Sequence, residues 1–126
     1  MGLLDRILGR GAAEEDTPPA PFDCTAAKAA IGPLADALGA LAEAMDTEDA
    51  PTANPGWRGR LKDLRGSAVD LRQLAKRGSF QREELFDVLV GVRPLYRGTA
   101  PDAYAHLAAQ NEAVVRAIAA VEDAAR

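Results

Sequence analysis

The sequence predicts an all-α protein. Apolar residues recur at alternating steps of three and four in four separate segments, no stretch alternates apolar and polar residues as a half-buried strand does, and glycines, prolines and capping residues fall between the segments. The architecture this favours is an antiparallel four-helix bundle, with helices at about 24–46, 57–77, 80–97 and 100–125, preceded by a short tethered amphipathic helix. Helical hairpins packed as a dimer are the alternative.

Residues 1–10, MGLLDRILGR, place Leu3, Leu4, Ile7 and Leu8 on one helical face and Asp5, Arg6 and Arg10 on the other. Residues 11–23 follow as an acidic linker with three prolines and too little apolar content to offset the entropy of ordering. The bundle domain then occupies 24–126.

Its first segment carries Cys24, Ala27, Ile31, Leu34, Leu38, Leu41 and Met45 at steps of 3, 4, 3, 4, 3 and 4. Pro33 lies inside it, lacking an N–H and crowding the carbonyl of Ala29, which predicts either a kink near Gly32 or a helix that begins at Pro33. An acidic Pro/Gly loop from Asp46 to Gly56 ends the segment. The second stripe is Trp57, Leu61, Leu64, Ala68, Leu71 and Ala75, with Gly78 as a stop. Ser79 reads as the cap of the third helix, whose first turn holds Glu83 and Glu84; Leu85, Leu89, Val92 and Tyr96 form its stripe, Phe86 widens the face, and Pro94 interrupts the last turn. Thr99 to Asp102 matches a capping box at the head of the fourth helix, where Tyr104, Leu107, Asn111, Val114, Ile118, Val121 and Ala125 share one seam. A polar residue within such a seam, here Asn111, reads as a determinant of register or partner number.

The chain has 126 residues, about one domain, and 48% of them are hydrophobic, but 27 are alanine. Leu, Ile, Val and Phe together make up only 27 residues, so the core is thin and its helices are expected to approach closely at Ala27, Ala30, Ala35, Ala42 and Ala108. Seams this narrow do not stabilise helices singly, and the segments must pack together. The single Cys24 forms no internal disulfide, the apolar runs are shorter than a membrane span, Asp5 and Arg6 break any secretory pattern, and Arg6 stands where a myristoylation motif has Ser or Thr. The expectation is a cytoplasmic protein, peripheral to the inner face of the membrane if the N-terminal helix meets lipid.

Residues that perform chemistry are scarce, and we expect no enzyme, cofactor, metal or small-molecule substrate. Cys24 has no neighbouring His or base and heads an apolar stripe, so it reads as a buried hydrophobe. His106 is the only imidazole, which is too few for a di-iron bundle, and it reads as a half-exposed surface residue. The glycines are scattered and form no phosphate-binding loop.

Charge is unevenly spread. The formal net charge is -4, yet residues 56–82 carry a net +6. Arg58, Lys62, Arg65, Arg72 and Lys76 step by 4, 3, 7 and 4, one residue behind the apolar stripe, and form a basic ridge. One reading is an anion-binding edge for nucleic acid, anionic lipid or an acidic protein. The other, which the acidic pI of about 5.0 favours, is a solvated flank whose arginines pair with Asp36, Glu43 or Glu112.

The function these features predict is that of a non-enzymatic interaction or adaptor protein. Its N-terminal helix, through Leu3, Leu4, Arg6, Ile7, Leu8 and Arg10, docks on a membrane surface or a groove of a partner protein, or packs on its own bundle or a second copy as a homodimer. The alternative is a nucleic-acid-associated protein that uses the ridge.

Overall fold

A computed structural model describes residues 22–47, 50, 51 and 53–126. The N-terminal segment 1–10 and the linker up to residue 21 lie outside the described residues, and so do the expectations attached to them. The described chain is an all-helical bundle with four α-helices, α1 (Cys24–Met45), α2 (Pro55–Lys76), α3 (Arg82–Leu89) and α4 (Ala108–Ala124), and a 3-10 helix at Asp102–Leu107. It contains no strand among the described residues.

Helices α1, α2 and α3 start where a side chain satisfies free backbone groups. Asp23 accepts a hydrogen bond from the N–H of Ala26 at 2.9 Å and opens α1. Asn54 accepts from Gly56 at 2.9 Å and Trp57 at 3.2 Å, with Pro55 in the first turn where its missing N–H costs nothing, so α2 starts two residues before its apolar stripe. Helix α1 runs through Pro33 as one 22-residue element, which removes the alternative of a helix beginning there. Gly32, Pro33 and the facing Ala29 are all exposed, so the unpaired carbonyl side of the turn meets solvent.

Helix α1 is the shared partner: it packs along both α2 and α4, which have no extensive contact with each other, and α3 lies against α2. Ile31, Leu34, Ala35, Leu38, Leu41 and Met45 are almost wholly buried, as the stripe requires. On α2 the stripe ends at the buried Leu74, while Ala75 is half-buried. The indole N–H of Trp57 donates to the Met45 carbonyl at 3.1 Å, tying the start of α2 to the end of α1. Arg72 reaches Asp36 further back along α1.

The third helix differs most from expectation. It spans Arg82–Leu89 instead of about 80–97, is capped at Gln81 instead of Ser79, and leaves Phe86 39% exposed instead of widening a buried face. Glu84 accepts from the Gln81 N–H at 2.8 Å, which settles the start. Beyond Val90 the chain turns, and Val92, Pro94 and Leu95 are buried from an irregular stretch. Pro94 brings no N–H to a helical ladder, and the Leu95 N–H donates instead to Asn111 Oδ1 on α4 at 2.7 Å. Gly98, at φ 82°, supplies the left-handed turn before the next element. That element starts as a 3-10 helix behind Pro101, without a side-chain cap bond from Thr99, and becomes α-helical only at Ala108. Ala108 is exposed and takes no part in a close helix contact.

Candidate interaction surface

The buried stripe of α2 leaves its opposite side to solvent. Arg58, Lys62, Arg65, Arg72 and Lys76 are all exposed on one edge of that side. Two of them are ion-paired with α1: Arg65 with Asp46 at 2.8 Å and Arg72 with Asp36 at 3.3 Å. Of the three acids expected as partners, only Asp36 meets the ridge; Glu112 pairs within α4 with Arg116 at 3.7 Å, and Glu43 forms no ion pair among the described residues. Among the described residues Arg58, Lys62 and Lys76 form no ion pair either.

The gap of seven between Arg65 and Arg72 is filled by Val69, which is 50% exposed. With Leu61 and Gly66 it floors an open, largely apolar depression of about 700 Å³ on α2. At about 100° per residue Arg58, Lys62 and Arg65 fall between Leu61 and Gly66, around Val69, and Asp70 lies beyond Gly66. A Cβ added at Gly66 would meet nothing within 4 Å, so the backbone there is open to close approach. The sequence signal for Val69 was the missing step itself: one apolar residue in the middle of a cationic series.

On the other flank of α2 a smaller cleft of about 420 Å³ separates Arg60, Asp63 and Ser67 from Gly91 and Arg93. The Ser67 hydroxyl donates to the Gly91 carbonyl at 3.2 Å, pinning the irregular stretch to α2. No imidazole or thiol lines this cleft to act as base or nucleophile.

The two residues with the most reactive side chains are far apart. Trp57, fixed to the end of α1 by its bond to Met45, stacks on Tyr104 at 5.6 Å and on the exposed His106 at 6.4 Å between ring centroids. Cys24 begins α1, roughly 30 Å away at 1.5 Å of rise per residue. It is half-buried and packs against the core, less covered than the buried hydrophobe expected from its place in the stripe. The described residues contain no group of three or more His, Cys, Asp or Glu arranged to hold a metal, and none of their helices is long and apolar enough to cross a membrane.

Compared with protein-family models, with curated proteins and with solved structures, the chain matches none.

Proposed function

We propose that this chain is a non-enzymatic interaction protein: an antiparallel helical bundle that offers the outer face of α2 to an amphipathic helix and carries an amphipathic helix of its own at residues 1–10. The observation that carries this reading is the depression around Gly66 and Val69, apolar surface set among the cations Arg58, Lys62 and Arg65 on an otherwise polar helix face. Such a floor takes the apolar stripe of a helix, and the charges beside it set orientation more than affinity. The Trp57–Met45 bond and the Arg72–Asp36 pair support the antiparallel course of α1 and α2.

The N-terminal helix is the delivering element of this adaptor, with Leu3, Leu4, Ile7 and Leu8 inserted into a membrane surface or partner groove and Arg6 and Arg10 at the anionic rim. Flotation with anionic and neutral vesicles tests it. The full chain is expected to float on anionic vesicles, and Leu4→Glu with Leu8→Glu to remain at the bottom while keeping its helicity by circular dichroism. Full-length protein that floats on neither vesicle removes the membrane from this reading and leaves a protein groove as the receiver.

A second reading, nucleic-acid association through the ridge, draws on the three cations Arg58, Lys62 and Lys76 outside any ion pair among the described residues. It requires mobility shifts that weaken steeply with salt, and their absence at low salt removes it.

A further inference from the structure

We propose that residues 1–10 of this chain dock in cis along the outer face of α2, over Gly66 and Val69, and thereby cover their own apolar face until a membrane or partner displaces them. The proposal rests on the reading of that segment as an amphipathic helix and adds its resting place and its regulation. Three observations converge on this occupant.

The first is reach. The described chain begins at Phe22, whose ring packs on Phe80 at 5.9 Å with the Arg82 guanidinium over it, just beyond the C-terminal end of α2. Eleven residues, 11–21, can span at most about 36 Å at about 3.3 Å each, more than the roughly 33 Å length of the 22-residue α2. The depression, between Arg58 and Asp70, is therefore within range of the tether, and its length of about 18 Å accommodates a ten-residue helix of about 15 Å.

The second is shape. Val69, half exposed beside the rim of the buried Leu61, offers apolar surface to Leu3, Leu4, Ile7 and Leu8, and the neighbouring Gly66 lets a helix approach without meeting a side chain.

The third is charge. At about 100° per residue, Asp5 falls on one side of the apolar face of the N-terminal helix and Arg6 and Arg10 on the other. The depression has the complementary division about Gly66, with Arg58, Lys62 and Arg65 on one side of it and Asp70 on the other. Glu14, Glu15 and Asp16 of the tether add negative charge that passes the basic ridge on the way. Neighbouring cations disfavour a purely basic occupant, and the mixed flanks of this segment avoid that conflict.

The test compares ¹⁵N spectra of the full-length chain with those of Leu4→Glu/Leu8→Glu, and measures the particle mass of each by light scattering. The amide resonances of Lys62, Gly66 and Val69 are expected to move while those of Arg93 and Leu95 stay in place, with a monomer mass for both proteins. Coincident α2 resonances overturn the proposal. So does a difference that disappears on dilution as a dimer mass falls to the monomer, because the segment then docks in trans. Val69→Glu in the otherwise natural chain is expected to raise flotation on anionic vesicles by releasing the segment, and flotation equal to the unaltered protein refutes the covering role. The failures remain separable: moved resonances without flotation keep the cis contact and remove membrane delivery, whereas flotation with coincident resonances keeps delivery and removes the cis contact.

Discussion

Asn111 holds the backbone of Leu95. Its Oδ1 accepts the Leu95 N–H at 2.7 Å, its Nδ2 donates to the Tyr96 carbonyl at 3.0 Å, and the residue is buried in the seam of α4. A side-chain amide, with one donor and one acceptor group, matches an irregular stretch of backbone that lies outside any helix and needs both partners. The polar interruption of the seam is thus the device that attaches the stretch between α3 and the 3-10 helix to the bundle.

Asn111→Ala is expected to cost about 2–4 kcal/mol, since it orphans a buried donor and a carbonyl together. Urea denaturation measures the loss, and hydrogen exchange at the Leu95 amide is expected to accelerate. A loss below about 0.5 kcal/mol, the range of surface substitutions, shows that water replaces both bonds.

Ala35 is wholly buried on α1 and Ala108 is exposed. Ala35→Leu is expected to destabilise by about 1–3 kcal/mol through overpacking. Ala108→Leu stays within about 0.5 kcal/mol of the parent. Thermal melts of the two variants side by side check the contrast, and an unchanged melting temperature for Ala35→Leu contradicts the packing described.

Trp57→Phe removes the donor that reaches Met45 and leaves that carbonyl without this partner. We expect a loss of about 1–3 kcal/mol by urea denaturation followed by circular dichroism. Full stability in the variant means that the α1–α2 junction is held by apolar contact alone.

The Arg77 guanidinium and the Gln81 N–H hold the Glu84 carboxyl below its ordinary value of 4.5. A carboxylate whose folded-state pKa is depressed stabilises the fold above its unfolded value and loses that contribution as pH falls through the folded value. The melting temperature of Glu84→Gln is therefore expected to lie slightly below that of the parent at pH 7 and to converge on it as pH falls through the lowered folded value of Glu84. A gap that persists in acid assigns the effect to side-chain packing.

Arg65–Asp46 and Arg72–Asp36 are exposed ion pairs, and Arg65→Ala or Arg72→Ala is expected to cost at most about 1 kcal/mol. A larger loss in 1 M salt, where such pairs are screened, assigns the cost to the packing of the arginine stems.

The courses of α1 and α2, and of α4 beyond its first turn, were legible from residue order because a buried helix must repeat its apolar positions every three or four residues, and Ile31 to Met45, Trp57 to Leu71 and Leu107 to Ala125 do so. The same periodicity misled at α3. Leu89, Val92 and Tyr96 have helical spacing, but Val92 and Leu95 reach the core from irregular backbone because Pro94 breaks the ladder and Asn111, sixteen residues beyond Leu95, supplies the replacement bonds. Spacing records which residues are apolar and says nothing of a hydrogen-bond partner on another helix.

The candidate surface divides in the same way. That α2 has a basic edge follows from residue order alone, since Arg58, Lys62, Arg65, Arg72 and Lys76 fall on one side of any helix built from residues 55–76. Which of those cations are neutralised, and whether Val69 is core or surface, was decided by the placement of α1: it brings Asp46 to Arg65 and Asp36 to Arg72 and leaves Val69 and Gly66 uncovered. A helix's own sequence determines its faces, and only its neighbours determine which face is left open.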